Sequence, residues 1–254
     1  MNEAYLTDDV SLRKNDFFIH LTRDLRVYWV VCAEFRIDKK SKIDVQKDDP
    51  PNSWRSMAAY PYLKHLDLSR HLTDESLWRD QLPGITGINC AEFPKPKEDR
   101  IEYLETVTTD ANRLDADIVF WDLSTGIATD KKNEAAKSKR NADPCYIYWD
   151  ELRWVVKATN GITCVYQHKP QYGSWESVWT IYETALGRSI RFRDGQPLFT
   201  KITRAKALFI PRPDQTDKLQ ELNEIVDAYT PGANSHAGKD DAVVGTPTMD
   251  GNQK

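Results

Sequence analysis

Four stretches of this chain concentrate apolar residues in the short runs expected of β-strands. They are Val27 to Phe35 (VYWVVCAEF), Ile85 to Phe93 (ITGINCAEF), Asp117 to Gly126 (DIVFWDLSTG) and Gly161 to His168 (GITCVYQH). The third is the most telling, because Ile118, Val119, Phe120 and Trp121 follow one another without a polar break, as in a strand buried on both faces of a parallel sheet. Between the runs the apolar spacing lengthens to three and four. Leu12, Phe17, Phe18 and Leu21 predict a helix from Asp8 or Asp9 to about Leu25, and Pro61 places a start or break near Tyr60 within one or two helices between Trp54 and Trp78. Ile101, Leu104, Val107 and Ala111 predict a helix over Asp99 to Leu114, and Trp149 to Ala158 reads as a short amphipathic one. Ser174 to Leu186 is a further helix closed by Gly187, Arg188 to Phe192 and Ala205 to Pro211 are late strands, and Asp214 caps a last helix with Leu219, Leu222, Ile225 and Val226 inward.

Strands alternating with helices predict an α/β fold, Rossmann-like, with three layers around a mostly parallel central sheet. Residues 36–52 and 129–143 are polar and Lys-rich, without helical or strand period, and read as mobile loops in a single domain spanning 1–230. From 231 to 254 apolar content is low, which predicts a disordered tail.

Composition changes this picture little. With 40% hydrophobic residues in 254 the chain can bury a full core, and a net charge of −4 offers no globally basic surface for nucleic acid. Cys32, Cys90, Cys145 and Cys164 form no C-x-x-C pair, so a structural zinc site is not expected and reduced thiols in a cytoplasmic protein are. MNEAYLTDDV lacks the apolar core of a secretory signal, and no run has membrane-spanning length, so no membrane partner is expected.

Candidate chemistry lies at the strand ends, where open α/β sheets bind ligands. Asp122, Ser124 and Thr125 close one run, and Gln167 and His168 close another. Asp-x-Ser-Thr is equally good capping chemistry, and a strand-closing His168 is either a proton-transfer group or a residue bonded to backbone. Glu34 and Glu92 stand near the ends of their own runs, so several carboxylates could converge on one edge as a divalent-cation site. Asp150 and Glu151 suit a helix start. The basic residues Lys131, Lys132, Lys137, Lys139 and Arg140 suit either a phosphate clamp or a solvated loop. Gly-rich dinucleotide, P-loop, G-x-S-x-G and H-E-x-x-H motifs are all missing.

Four segments, YLTDDVSLRKNDFFIHL (5–21), DIVFWDLSTGI (117–127), CYIYWDEL (145–152) and ITCVYQHKPQ (162–171), together resemble a poorly described prokaryotic family. That family shows an aspartate-valine and a lysine near the start, an Asp-Pro-Asp-Asn-Gly strand end and a Tyr-Gln-His strand end. Its layout is similar to that of ribosomal-RNA adenine-N6 methyltransferases, whose strand-end motif is Asp-Pro-Pro-Tyr. The resemblance implies a Rossmann-like, methyltransferase-like fold, S-adenosylmethionine as cofactor, and a nucleic acid or nucleotide as partner. It implies Asp122 and His168 as catalytic residues, and Lys14 and Asn15 of the opening segment as binding residues beside Ser124, Thr125 and Gln167. The motif here reads Asp-Leu-Ser-Thr, which offers no ring to sandwich a flipped base, and RIDKKSKID after Phe35 contains no glycine. Three functional readings follow: an enzyme of methyltransferase fold, a non-catalytic binding or sensing module such as phage-defence or mobile-element systems use, and a metal-dependent phosphodiesterase or nuclease.

Overall fold

Val27–Cys32 (β1) and Ile118–Leu123 (β3) pair in parallel along their whole length, Val27 opposite Ile118 and Cys32 opposite Leu123. A computed structural model describes residues 9–32, 46, 55, 57–66, 74–128, 142–168, 198–201, 205–212 and 214–229. Among these, Gly87–Asn89 (β2) adds in parallel to the other side of β1, and Ile162–His168 (β6) adds in parallel to β3. Leu198–Lys201 (β7) and Ala205–Ile210 (β8) complete a six-stranded sheet of order β2-β1-β3-β6-β8-β7. β8 runs antiparallel to both β6 and β7, so the last strand lies between its predecessor and the parallel set. Gly126–Ile127 (β4) and Tyr146–Ile147 (β5) form a separate two-stranded parallel ribbon just past β3.

Alternation along the strands sends residues to two cores. Trp29, Val31, Ile118, Phe120, Ile162 and Tyr166 meet helices Asp9–Leu21 (α1), Tyr60–Lys64 (α2), Glu75–Gln81 (α3) and Thr216–Asp227 (α6). Tyr28, Val30, Val119, Trp121 and Val165 meet Lys97–Arg113 (α4) and Trp149–Ala158 (α5). Helices therefore cover both faces of a mostly parallel sheet, an α/β arrangement of three layers. No helix among the described residues is long and apolar enough to cross a membrane.

Most predicted elements form, with informative differences. Pro61 lies in the first turn of α2, as expected. α1 stops at Leu21 rather than Leu25, because Thr22 turns its hydroxyl onto Ile19 and Pro83 carbonyls and the chain must reverse into β1. β2 is three residues long rather than nine: Asn89 accepts the Ala91 N–H at 3.2 Å, an Asx turn that bends the chain away from the sheet. Gly87 in β2 permits the close approach of Tyr28, whose ring atoms would stand 2.6 Å from any Cβ. Asp214 does not cap α6 but pairs with Arg212, while Gln215 takes the N-cap position and donates to the Asn160 and Gly161 carbonyls. On α4 the expected inward Ile101 is 56% exposed and Arg100 is buried in its place. The Ser174–Leu186 helix, the Arg188–Phe192 strand, the tail 231–254 and nearly all of 36–52 and 129–143 lie outside the described residues.

Candidate functional site at the carboxyl edge of β1 and β3

Chain order reverses at β1: β2 lies on one side of it and β3 on the other. The crevice outside the carboxyl ends of β1 and β3 is therefore a topological switch point, where sheets of this kind bind ligands. Asp122 is the penultimate residue of β3, opposite Val31, so the carboxylate stands at that crevice. It shares the strand face of Ile118 and Phe120, which is the face covered by α1.

α1 is held there by aromatic packing that its sequence supplies. Phe18 stacks on Phe120 with centroids 3.6 Å apart, and Phe17 meets both Phe18 and Tyr229 edge-on. Asp16 accepts from the Ala59 N–H and the Tyr229 hydroxyl, and the His20 ring donates to the Ile225 carbonyl. Burial, with Asp16 beside it, pushes the Tyr229 hydroxyl well above its ordinary value, so that it stays a donor. With the helix fixed on three sides, Lys14, one turn before Phe18, extends along the sheet to Asp122.

Lys14 donates to Asp122 Oδ2 at 2.6 Å, with 3% and 2% of the two residues exposed. The ammonium also lies 5.9 Å from the Trp29 ring centroid and 5.4 Å from that of Tyr166. These aromatic faces offset part of the desolvation of a buried cation, by about 0.5–2 kcal/mol each. Asp122, Lys14, Trp29 and Tyr166 thus come from β3, α1, β1 and β6, four elements meeting around one ion pair. Tyr166 opens the run of donors and acceptors Tyr166 to Lys169 at its strand end, whereas Trp29 had no sequence signal beyond strand alternation. Asn15, beside Lys14, is 1% exposed.

The other sequence candidates divide. Gln167 lies on the opposite sheet face, where its Oε1 accepts the Ile127 N–H at 2.8 Å and its Nε2 approaches the Thr125 carbonyl at 3.4 Å. Its amide clamps the turn after β3 rather than joining Asp122. Gly126 at the turn has φ +104°, and a Cβ there would stand 2.5 Å from Gln167 Oε1, so glycine is required twice over. Ser124 and Thr125 are half-buried in this turn, with the Thr125 N–H bonded to the Cys145 carbonyl. His168 closes β6 opposite Ala205, two residues beyond Tyr166; its side chain and all of Glu34 lie outside the described residues. Glu92 does not converge on Asp122: it is exposed beyond β2, one strand removed from β3.

A divalent ion does not fit the described residues. No group of three or more His, Cys, Asp or Glu side chains gathers among them, and Asp122 already has its counter-charge in Lys14. Cys90, Cys145 and Cys164 are unbridged, and burial pushes the Cys164 thiol well above its ordinary value, which makes it an inert core residue.

The opposite sheet face holds a second buried ion pair. Arg100, fully buried, gives Nε and Nη2 to the two Glu151 oxygens at 2.6 and 2.7 Å, Nη1 to the Pro94 carbonyl and Nη2 to that of Tyr146. Its guanidinium carbon lies 3.8 Å from the Phe93 ring centroid. Glu151 also accepts the Tyr148 N–H at the start of α5, so the sequence expectation of a helix-start role for this acid holds. The signal for Arg100 was its place in the stripe Arg100, Leu104, Val107, Ala111, all buried on α4. Comparison with known proteins gives no matching family model, no matching curated protein and no matching solved structure.

Proposed function

We propose that this chain is a divergent protein of methyltransferase-like Rossmann fold that binds a nucleotide or nucleic acid at the crevice between β1 and β3. The observation that carries the reading is the buried Lys14–Asp122 pair at the switch point, the edge at which sheets of this kind bind ligands. One other supports it. Asp122 and Lys14 occupy the strand-end acid and opening lysine positions of the resemblance.

The function is binding, and no methyl-transfer step is assigned. The Lys14–Asp122 pair is already neutral, so a sulfonium brought to Asp122 gains little from the carboxylate and meets the ammonium. Asn89 at the end of β2 accepts the Tyr103 hydroxyl and the Ala91 N–H and is committed to the protein.

Thermal unfolding with adenosine, guanosine, cytidine and uridine 5′-monophosphates, a single-stranded oligonucleotide, S-adenosylmethionine and Mg²⁺ tests this reading. Nucleotide or oligonucleotide should raise Tm by several degrees, since ligand at about 100 times Kd adds roughly 2.7 kcal/mol. A response to Mg²⁺ alone, or to none of these, would overturn it.

A further inference from the structure

On α1 the polar neighbours of Asn15 are bonded, Lys14 to Asp122 and Asp16 to Ala59 and Tyr229. Asn15 is not: its Nδ2 and Oδ1 are both buried and neither has a hydrogen-bond partner among the described residues. Trp29 Nε1 is likewise buried without a partner, and its ring lies beside the Lys14 ammonium. Asn15 adjoins Lys14 in sequence and is the i,i+3 neighbour of Phe18, which stacks on Phe120. Each buried polar group left open costs about 1–3 kcal/mol, and folded proteins leave few of them. Asn15, next in sequence to Lys14, carries two such atoms, and Trp29, whose ring lies beside the Lys14 ammonium, carries a third.

We infer that the Asn15 amide and the Trp29 indole N–H are the base-reading groups of this site and take the edge of a nucleobase. The inference rests on the nucleotide-binding reading above and names what part of the ligand these residues recognise. A carboxamide sets an N–H donor beside a carbonyl acceptor in one plane, and nucleobase edges present the complementary pattern. The indole N–H, a donor only, suits a ring nitrogen or exocyclic oxygen of the same base. A phosphate only accepts and would leave the Asn15 carbonyl open. Lys14 and Asp122 then flank the base-reading pair as its charged neighbours.

Calorimetric titration of the four nucleoside monophosphates and of ribose 5-phosphate into the parent, Asn15→Leu and Trp29→Phe proteins tests the assignment. Asn15→Leu replaces an open amide by an apolar group of similar size and better helix propensity, so its Tm should equal or exceed the parent's. Its nucleotide affinity should fall about tenfold or more, the worth of a lost bidentate amide–base contact. Trp29→Phe keeps a ring against Trp78 and Phe120 and loses the N–H; it should weaken nucleotides severalfold. Ribose 5-phosphate, lacking a base, should bind the three proteins alike. Nucleotides that bind the parent and both folded variants equally would end the base-reading role alone. Failure of every nucleotide to bind the parent would end the nucleotide reading as well. A several-degree fall in Tm for Asn15→Leu would make the amide structural and also overturn the assignment.

Discussion

Two ion pairs among the described residues, Arg100–Glu151 and Lys14–Asp122, lie on opposite faces of one sheet and are built to different standards. Arg100–Glu151 is bidentate, stacked on Phe93, and reaches the Pro94 and Tyr146 carbonyls and the Tyr148 N–H as well, tying the segment after β2 to β5 and α5. Lys14–Asp122 rests on one 2.6 Å contact and two aromatic faces, with open polar atoms on Asn15 and Trp29 beside it. A buried pair stabilises a fold when further hydrogen bonds satisfy its remaining donors and acceptors. The first pair meets that condition and is a structural joint. The second does not, and it stands at the ligand edge.

Removing one partner from each pair should separate them in magnitude. Glu151→Ala leaves a fully buried guanidinium uncompensated and takes the N3 acceptor from α5, so denaturant unfolding should show a loss of about 3–5 kcal/mol. Asp122→Asn should cost less, about 2–3 kcal/mol, since Lys14 keeps the faces of Trp29 and Tyr166. The paired replacements give the sharper contrast. Lys14→Met with Asp122→Leu should return to within about 1 kcal/mol of the parent, as apolar replacement of a whole buried pair commonly does. Arg100→Met with Glu151→Leu should remain about 2–3 kcal/mol low, because two carbonyls and an N–H lose their partners at roughly 1 kcal/mol each. Equal recovery in both double variants would erase the distinction.

Two smaller effects bound it. Gln167→Leu unpairs the Ile127 N–H and should cost about 1–2 kcal/mol by urea denaturation, without affecting nucleotide binding, since Gln167 lies on the other face from Asp122. At the amino edge, partial burial raises the Asp117 carboxyl, but hydrogen bonds and charge from Arg26 outweigh it and hold the group below its ordinary 3.8. A depressed carboxylate contributes stability above its unfolded pKa and loses it as pH falls through the lower folded value. The parent should therefore lose more of its urea midpoint between pH 5 and pH 3 than Arg26→Met does, by a small margin because the pair is solvent-exposed.

What the chain announces in advance follows from how many neighbours decide each feature. β1, β3 and β6 and the helix Trp149–Ala158 are set by local apolar pattern, and they appear close to where that pattern puts them. Asp122 stands at the edge because a parallel strand must end where its apolar run ends. The role of Gln167 could not be read that way, since it depends on a turn forty residues earlier folding back over the opposite face. The burial of Arg100 instead of Ile101 depends on Glu151, Pro94 and Tyr146 converging from three other segments. Asn15 was marked only by the resemblance, and Trp29 looks, as sequence, like an ordinary strand aromatic; their unpaired polar atoms beside Lys14 are visible only in the folded chain.

The most direct measurement is the nucleotide-induced rise in Tm of the parent beside that of Lys14→Met/Asp122→Leu. The parent should gain several degrees at saturating nucleoside monophosphate, while the double variant unfolds near the parent's unliganded Tm and gains nothing. A folded double variant that gains as much as the parent would show that the carboxyl edge of β1 and β3 is not where the ligand binds.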